Sequence, residues 1–396
     1  MTKSPIDFKG RSLAKALDSA EPAVSIALGS KAAQVEDDSI EYLSRGRLIR
    51  RRFWRHRLAR LGLPVLAGLY LMAIFSDFIA PYRPDTRLKG FKDAPPSVIH
   101  FGVGENRFQP FVYARERTFH SKTFREIYTE QEDQKYPIHF FVRGETYEIL
   151  GLFKLDIHLF GVEEGANITL FGTDSVSRDL FSRTVIGALV SLFVGLGGVA
   201  ISFVLGCLIG GISGYVGGIV DEAIQRIIDL LIAIPTLPLW MVLSAAIPRQ
   251  WPVAHTYFAI TIVLSIVGWT GLARVVRGKL LSLRDLDFVT ASKLAGGSDL
   301  YIITRHLLPN FASHLIVTMT LAVPGMILGE TALSFIGLGM QEPGVSWGVL
   351  LDDTKNFGAL VHQPWKLIPA LFIIVTILMF NFVGDGLRDA ADPYSL

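Results

Sequence analysis

TVIGALVSLFVGLGGVAISFVLGCLIGGI, residues 184–212, decides the fold class of this chain. The stretch contains no charged residue, and an α-helix needs about 20 mostly apolar residues to cross the hydrocarbon core of a bilayer. One such run could be a buried helix of a soluble protein. Comparable runs lie near residues 61–80, 227–248, 256–274, 311–335 and 366–384. Six spans in one chain predict an all-α polytopic membrane protein.

The composition of the 396-residue chain agrees with this class. Hydrophobic residues make up 50% of the chain and charged residues 19%, which is too apolar for an ordinary soluble protein of this length. The formal net charge of +2 argues against nucleic acid as a partner, because a nucleic-acid-binding face leaves a larger basic surplus. The single cysteine, Cys207, excludes an internal disulfide. The scattered histidines lack metal-ligand spacing, so no metal site is expected.

Basic residues beside the spans predict the orientation of the chain, because cytoplasmic loops carry an excess of lysine and arginine. Residues 45–60 contain eight arginines and no acidic residue, and the loop 275–310 is also basic, whereas 249–255 carries only Arg249. With the basic segments inside, both termini are cytoplasmic. The expected domains are a cytoplasmic N-terminal segment with a basic anchor (1–60), the first span (61–80), a periplasmic domain (81–183) and a five-span core (184–396).

The external segment 81–183 predicts a small strand-rich cap. KLDIHLF, residues 154–160, places Leu155, Ile157 and Leu159 on one face, which is typical of a strand that buries its apolar side. YPIHFFV (136–142) and TYEILGLF (146–153) flank Arg143-Gly144-Glu145 and predict a hairpin that turns at these three residues.

Small residues and prolines predict how the spans pack. Gly206, Gly210 and Gly214 recur at intervals of four, which lets helix backbones approach closely, and packing within the chain is favoured over a dimer face. Prolines predict kinks in the third and fifth spans, at Pro235, Pro238 and Pro324.

Glu330 is an ionisable residue late in the fifth span. Such groups are costly at membrane depth and are functional candidates for that reason. Two interpretations stay open: a role in a pore or gate, and an interfacial carboxylate that reaches headgroups or water.

VTASKLAGGSDLYIITRHLLPN, residues 289–310, is a polar island between two apolar spans. The pattern predicts a first helix with Leu283, Phe288, Ala291 and Ala295 along one face. Gly296-Gly297 is expected to end it, because glycine accepts the left-handed conformation used at helix ends.

The second half of the polar island predicts another short helix. Ser298 is its expected N-cap, Asp299 suits the positive end of the helix dipole, and Pro309 closes the unit. Leu300, Ile303 and Leu307 are expected to share one face. The whole segment could lie on the inner leaflet as an amphipathic loop, or it could insert into a partner protein.

The polar island resembles the coupling loop of ABC importer permeases. The family pattern is a Glu-Ala-Ala triplet, three residues, a Gly and a later Leu-Pro. In this chain the triplet is Thr290-Ala291-Ser292, the glycine is Gly296 and the last pair is Leu308-Pro309. Thr290 and Ser292 depart from the triplet, but both keep the small volume.

Four further stretches extend the resemblance. They are IAPYRPD (79–85), FGTDSVSRDLFSR (171–183), ETALSFIGLGMQEPGVSWG (330–348) and FNFVGDGLRDAADP (380–393). In the second of these, Ser177 stands where the family usually has Gly. Together they identify the chain as similar to the C-type permease subunits of oligopeptide/dipeptide ABC importers.

This resemblance implies the type I ABC importer permease fold, with about six transmembrane helices and a small strand-containing periplasmic insertion between helices 1 and 2. It implies a bacterial inner-membrane location in the lipid bilayer. The implied partners are a homologous second permease subunit, two ABC ATPase subunits and a periplasmic or lipid-anchored solute-binding protein. The residues implied in coupling to an ATPase are Thr290, Ala291, Ser292, Gly296, Ser298, Asp299, Arg305, Leu308 and Pro309.

The same resemblance implies that ATP and Mg²⁺ bind the ATPase subunits and that this chain is not an enzyme and binds no cofactor. The GxxxxGK[ST] phosphate-binding motif is absent from the sequence, and the nearest string is RVVRGKLLS at 274–282. Oligopeptides or dipeptides are the expected solutes, and an oligosaccharide, an opine or nickel is the alternative. A six-span channel or receptor is an alternative from another functional class. ATP dependence of the flux would distinguish an ATP-driven importer from a channel.

Overall fold

The computed structural model describes residues 45–102, 109–119, 121, 126–149, 153–163 and 166–391. Within these residues, 45–56 and 389–391 belong to one compact unit and 57–388 form a second. The predicted segment 1–44 lies outside the described residues.

Helices account for most of the described chain. In chain order they are α1 (Arg45–Arg55), α2 (Arg57–Ile74), α3 (Ser76–Ile79), α4 (Leu180–Val216), α5 (Gly218–Ala233), α6 (Thr236–Ala245), α7 (Val253–Leu283), α8 (Asp287–Leu294), α9 (Asp299–Tyr301), α10 (Leu308–Asn310), α11 (Ala312–Ile336), α12 (Trp347–Leu350), α13 (Phe357–His362) and α14 (Ile368–Ala391). A π-helical turn (Ile302–Leu307) joins α9 to α10, and 3-10 turns cover Asp352–Lys355 and Pro364–Leu367.

Five of these helices are long and apolar enough to span a bilayer: α2, α4, α7, α11 and α14 with the turn before it. The predicted third span is broken into α5 and α6, whose axes differ by 88°, so the chain has up to six spans if this pair counts as one. Pro235 lies at the break, with an extended backbone before α6, which confirms the kink expected there. Pro324 lies inside α11, which continues past it.

A seam of glycines joins α4 to α7. A Cβ atom built on Gly206 would lie 2.9 Å from the Leu272 side chain, and one on Gly214 would lie 2.8 Å from the backbone oxygen of Arg277. Gly210 meets the backbone of Ala273 in the same way. The glycine ladder therefore packs within the chain, as the sequence favoured.

The strands lie between α3 and α4, in the strand insertion (residues 81–179). They are β1 (His100–Phe101), β2 (Pro110–Phe119), β3 (Glu126–Pro137), β4 (His139–Ile149) and β5 (Phe153–Gly161). Strands β1, β2 and β3 form an antiparallel sheet in that order, and β4 pairs with β5 in a second antiparallel sheet. A small core of Val112, Ile138, Phe160 and Ile168 fills the insertion.

The predicted hairpin turn at residues 143–145 is wrong. These residues lie inside β4, where the pairing with β5 shifts register between Arg143 and Tyr147. The reversal instead falls between β4 and β5, and residues 150–152 lie outside the described residues. Gly144 resembles a turn residue in the sequence, but its role is steric, since a Cβ there would lie 2.6 Å from the ring of His158.

The strand predicted at 154–160 is present as β5, but the face expected to be buried is wrong. Leu155 and Ile157 are each 40% exposed, whereas His158 and Phe160 are buried. The imidazole of His158 lies between two backbone carbonyls: its Nδ1 is 2.6 Å from the oxygen of Ala80, and its Nε2 is 2.9 Å from that of Glu145. These two contacts hold the ring in the interior and fix which face of the strand packs inward.

Candidate functional site

Helix α4 connects two surface regions of different character. It begins directly after the strand insertion, and its last turns contact the polar island. We call these regions the strand end and the island end. Residues with predicted functions occur at both, so each is described from its side chains upward.

The polar island has the predicted two-part helical form. Gly296 ends α8 with a φ of +83°, and the amide of Gly297 donates to the carbonyl of Ser292 over 2.9 Å. The side chain of Ser298 accepts a hydrogen bond from the amide of Tyr301, which makes it the N-cap of α9. The glycine stop and the serine cap are therefore as expected, because both depend on local backbone chemistry.

The buried face of the polar island agrees with the predicted one only in part. Val289, Ile302 and Leu307 are fully buried, whereas Leu300 is 65% exposed. The three buried residues pack into one cluster with side chains of α4 and α7, including Leu272 and Leu280. Of the three residues predicted to share the face of the second helix, Leu307 is buried and Ile303 packs against the same cluster, but Leu300 is exposed. The π-helical turn at Ile302–Leu307 changes the residue spacing from that of an ideal α-helix and brings Ile302 into the packed face.

Tyr215, at the last turn of α4, holds both halves of the polar island. Its hydroxyl donates to Oδ1 of Asp299 over 2.8 Å, and Nζ of Lys293 lies 4.9 Å from its ring centroid. A hydrogen bond and a cation–π contact thus fix α8 and α9 to one spanning helix. Tyr215 was not predicted as a functional residue. Its only mark in the sequence is its place as an aromatic residue at the end of an apolar run.

The residues predicted for coupling all reach the surface of the chain. Ser292 and Leu308 are half-buried. The other members are exposed: Thr290, Ala291, Gly296, Ser298, Asp299, Arg305 and Pro309. The most exposed large apolar side chain of the segment was not among the predicted residues. Leu294 is 85% exposed, and Leu300 and Tyr301 are 65% and 51% exposed. We call these three exposed apolar side chains the apolar tip of the polar island.

The strand end contains a cluster of paired charges, Asp174, Arg178, Arg183 and Glu342, which we call the charge cluster. Arg178 donates to Asp174 through Nε over 2.7 Å and to Glu342 through Nη2 over 2.6 Å. Arg183 donates to the same two carboxylates, with 2.8 Å between its Nη2 and Oε1 of Glu342. The side chains of Arg183 and Asp174 are 3% and 6% exposed. Segment 171–183 is therefore joined to the chain beyond α11.

The ionisation of two carboxylates near this cluster shifts in opposite directions. Partial burial disfavours the charge on Glu342, but hydrogen bonds from Arg178 and Arg183 outweigh it and lower its pKa to about 2. Burial raises the pKa of Asp179 to about 7, although the amide and hydroxyl of Ser182 both donate to its Oδ2. Among the described residues, no group of acidic, histidine or cysteine side chains could hold a metal ion.

Lysine and serine contacts extend the charge cluster towards the strand insertion. Nζ of Lys366 lies 2.6 Å from Oδ1 of Asp93 and 3.2 Å from Oδ2 of Asp353. The hydroxyl of Ser175 donates to Oδ1 of Asp353 over 3.0 Å. The strand insertion is thus tied by ion pairs and hydrogen bonds to the segment between α11 and α14.

Ser177 adopts a left-handed backbone conformation within this region. Its φ is +69°, a value that residues other than glycine rarely adopt. Its carbonyl accepts a hydrogen bond from the amide of Leu88 over 2.7 Å, which holds the turn. This conformation gives a physical reason for the glycine expected at this position from the family pattern.

Glu330 is fully buried inside the chain. Its carboxylate accepts hydrogen bonds from Ser334 over 2.7 Å and from Ser191 over 3.3 Å. Ser191 in turn accepts from the amide of Trp347 over 3.0 Å. In this conformation the carboxylate does not reach solvent, so the interfacial contact with headgroups or water is not formed, and the role in a pore or gate stays a prediction. Glu330 instead joins α4, α11 and the start of α12.

Two family models match the chain. Residues 202–394 match the binding-protein-dependent transport system inner membrane component, and residues 44–96 match the N-terminal transmembrane domain of oligopeptide transport permease C. The first range contains the polar island. Residues 97–201 lie between the two ranges and include all five strands.

Relatives of known name agree with these matches. The oligopeptide transport system permease protein OppC of Bacillus subtilis is 42% identical over 224 residues, which cover 56% of this chain and 71% of the relative. OppC of Haemophilus influenzae is 44% identical with 70% of the relative covered, and the dipeptide transport system permease protein DppC of Bacillus subtilis is 43% identical with 68% covered.

A solved structure of the MetNI methionine ABC transporter in an inward-facing conformation also matches. The match has a TM-score of 0.41 and 17% identity, and it covers 52% of this chain and 96% of that chain.

Proposed function

Because the chain belongs to the C-type permease subunits of oligopeptide/dipeptide ABC importers, we propose that it forms half of a membrane pathway for peptides. A homologous permease supplies the other half, and a solute-binding protein delivers the peptide. Two separate ATPase subunits bind ATP and Mg²⁺ and act on this chain through the polar island. Peptide transport is stated in the names of the relatives, and that is the support for the choice of solute.

The observation that carries the coupling role is the apolar tip of the polar island. Leu294, Leu300 and Tyr301 are exposed on a segment whose other surface residues are small or polar. Exposed apolar side chains rimmed by polar residues are typical of protein–protein contacts. An ATPase subunit that covered this tip would bury Leu294 in a groove, while Ala291 and Ser292 would allow close approach.

The attachment of the polar island to the spans supports transmission of movement. Val289, Ile302 and Leu307 are fully buried against α4 and α7, and Tyr215 fixes Lys293 and Asp299. Because packed interiors are stiff, a displacement of the tip moves α4 and α7 together rather than bending the loop. ATP binding to the ATPase subunits then shifts the permease between two arrangements of its spans, because ATP binds the complex with a different affinity in each arrangement.

The proposed orientation places the island end and both termini in the cytoplasm. The basic residues of 45–60 and of 275–310 support it, since positive loops are retained inside. The strand insertion then faces the periplasm, where it is positioned to meet the solute-binding protein.

The test uses the complete transporter in reconstituted vesicles, with Leu294→Ser and Ala291→Trp in this chain. Leu294→Ser removes an apolar anchor of about 1–2 kcal/mol, so we expect ATP-driven peptide uptake and retention of the ATPase subunits to fall about tenfold. Ala291→Trp adds bulk at the proposed contact and should have a similar effect. Gly296 is a poorer choice, because its φ of +83° makes any substitution strained before a partner is considered.

Phe357→Ser is the matched control, because Phe357 is 77% exposed but lies in α13, in the segment that is tied to the strand insertion and not in the polar island. It should leave ATPase retention unchanged. Wild-type uptake and ATPase retention in both Leu294→Ser and Ala291→Trp would refute the coupling role. Uptake of an oligosaccharide, an opine or nickel with no uptake of peptides would refute the proposed solute.

A further inference from the structure

Two strands of the insertion lie directly against the end of the first span. Nδ1 of His158, in β5, lies 2.6 Å from the backbone oxygen of Ala80, which follows α3. In β4, the ring centroid of Phe141 lies 6.2 Å from that of Phe78, which belongs to α3. Contacts from both strands therefore fix the height of the β4–β5 sheet relative to the span.

The length of the first span places these contacts at the edge of the hydrocarbon core. The helix continues from α2 into α3, because the amide of Ile79 donates to the carbonyl of Phe75 over 3.0 Å. Its apolar run, residues 61–80, measures about 30 Å, which is the thickness of the core. Phe78 is about 3 Å from the end of that run. The ring of Phe141 beside it therefore lies at the boundary between the core and the headgroup layer, which is about 5–7 Å thick.

The apolar surface of the first span continues onto β4. Leu71 and Phe75 are both exposed on α2 and its extension, and the described chain covers only 22% of this span. Phe78 follows them along the helix, and Phe141 contacts Phe78. Phe141 is 68% exposed, and its neighbour Phe140 is also exposed. An apolar surface that is continuous with a spanning helix matches lipid better than water.

Phe141 has an unusual backbone conformation for an aromatic residue. Its φ is +56°, in the left-handed region that bulky residues rarely adopt. The alternation of faces along β4 is broken at this point, so two successive phenylalanines, Phe140 and Phe141, are both exposed. Such conformations cluster at functional positions, where a contact depends on them. Here the conformation accompanies the contact of Phe141 with the end of the first span.

The charges around the two strands indicate an apolar contact rather than an electrostatic one. Arg143 lies 3.9 Å from the carboxylate of Asp156, and Lys154 lies 3.6 Å from that of Glu148. Basic side chains that already face carboxylates do not form the single-sign patch that anionic lipids attract. The surface is therefore suited to lipid of any headgroup charge.

We propose that the ring of Phe141 inserts at the headgroup–acyl boundary of the bilayer leaflet on the side of the strand end, so that the β4–β5 sheet lies on the membrane beside the first span. The partner is phospholipid, and neither the solute-binding protein nor the second permease covers this ring. The contact goes beyond the proposed function, because it is independent of the solute.

The test measures quenching of tryptophan fluorescence by brominated lipid in the complete transporter. The transporter is reconstituted without solute-binding protein in vesicles of phosphatidylcholine that is brominated near the headgroup end of one acyl chain. Phe141→Trp is compared with the wild type, so that the native tryptophans cancel. Tryptophan suits the membrane interface, so the substitution preserves the proposed contact. We expect the added fluorescence of Phe141→Trp to be lost in brominated vesicles and retained in unbrominated ones.

Phe119→Trp is the matched control. Phe119 is a 58% exposed phenylalanine of the same insertion, but it lies in β2, in the other sheet. Its added fluorescence should be the same in brominated and unbrominated vesicles. Phosphatidylglycerol mixed into the vesicles should change neither result, since the proposed contact does not depend on anionic headgroups.

A second measurement uses the wild-type chain, so that no variant has to fold. Hydroxyl radicals generated in water oxidise phenylalanine rings that water reaches. Within the chain Phe141 is more exposed than Phe119, at 68% against 58%. In phosphatidylcholine vesicles we nevertheless expect Phe141 to be oxidised several-fold less than Phe119, because lipid covers it.

Each other outcome overturns the lipid contact. Low oxidation of Phe141 without quenching of Phe141→Trp would mean that a partner subunit covers the ring. Oxidation of Phe141 at the rate of Phe119, equal quenching in the two variants, or quenching only with phosphatidylglycerol would contradict the proposal. Quenching that disappears when the solute-binding protein is added would assign the surface to that protein. None of these measurements depends on peptide uptake, so they are separate from the test of the proposed function.

Discussion

The strand end and the island end are stabilised by different physical means. At the strand end, Arg183 and Asp174 are buried as members of an ion-paired cluster that satisfies its own charges. At the island end, Val289, Ile302 and Leu307 are buried by packing, and Leu294 is left 85% exposed. The strand end holds its segments together by paired charges, whereas the island end holds its segments together by apolar packing.

This contrast indicates where a partner can act with least damage to the fold. Substitutions at the surface of the island end should change function more than stability, because the side chains there make few contacts within the chain. Substitutions in the charge cluster should change stability first, because a buried charge that loses its partner is costly. Three substitutions test the two halves of this contrast, from the largest expected effect to the smallest.

Arg183→Met tests whether the strand end depends on its ion pairs. The change removes a 3% exposed guanidinium from two carboxylates, and we expect a loss of about 3–5 kcal/mol in the free energy of unfolding. Thermal unfolding in detergent measures it. Arg226→Gln is the control, because its ion pair with Glu222 is exposed on both sides and should be worth less than about 1 kcal/mol. Equal losses in the two variants would contradict the structural role of the charge cluster.

Leu307→Ala tests whether packing alone holds the polar island. Leu307 is fully buried, so its truncation should cost about 2–4 kcal/mol and increase amide hydrogen exchange in residues 287–310. Leu300→Ala is the matched control, because Leu300 lies on the same segment but is 65% exposed, and it should cost less than about 0.5 kcal/mol. Equal losses in the two variants would mean that Leu300 faces the interior together with Leu307, as the α-helical period predicted.

Ser177→Gly should sharpen the contrast by stabilising the strand end. The φ of +69° costs an L-residue about 1–2 kcal/mol, whereas glycine adopts it without a steric penalty, so we expect a gain of about 1 kcal/mol after the added flexibility of the unfolded chain. Val176→Gly is the control, because Val176 has no positive φ, and it should destabilise the protein. A lower unfolding temperature for Ser177→Gly would show that the serine side chain matters more than its backbone conformation.

The spans and the corner of the polar island could be predicted because both depend on local chemistry. Six apolar runs of spanning length in one chain point to a membrane protein by composition alone. Gly296 and Ser298 end and begin helices through their own backbone and side chain. The π-helical turn at Ile302–Leu307 could not be predicted from an α-helical period, which included Leu300 in the packed face and left out Ile302.

The strand insertion shows a different limit. Alternation in β5 identifies two faces of a strand, but it does not say which face has a partner. The ring of His158 contacts two backbone carbonyls, those of Ala80 and Glu145. Because the carbonyl of Ala80 is distant in the sequence, the alternation in β5 could not show that the face with Leu155 and Ile157 is exposed. The charge cluster depends on Glu342, which lies 159 residues from Arg183 in the sequence. No local pattern could have paired them.

The length of α4 has a mechanical consequence. Its 37 residues extend for about 55 Å, whereas the hydrocarbon core of a bilayer is about 30 Å thick, so the helix projects into water on one or both sides. The glycine seam is centred on Gly210, about 9 Å from the island-end tip of the helix and about 45 Å from the strand-end tip. A tilt of about 5° about this seam displaces the strand-end tip by about 4 Å and the island-end tip by about 1 Å in the opposite direction. A push on Tyr215 at one tip would therefore reach Arg183 at the other as a sideways step, without any change in the hydrogen bonds along the helix.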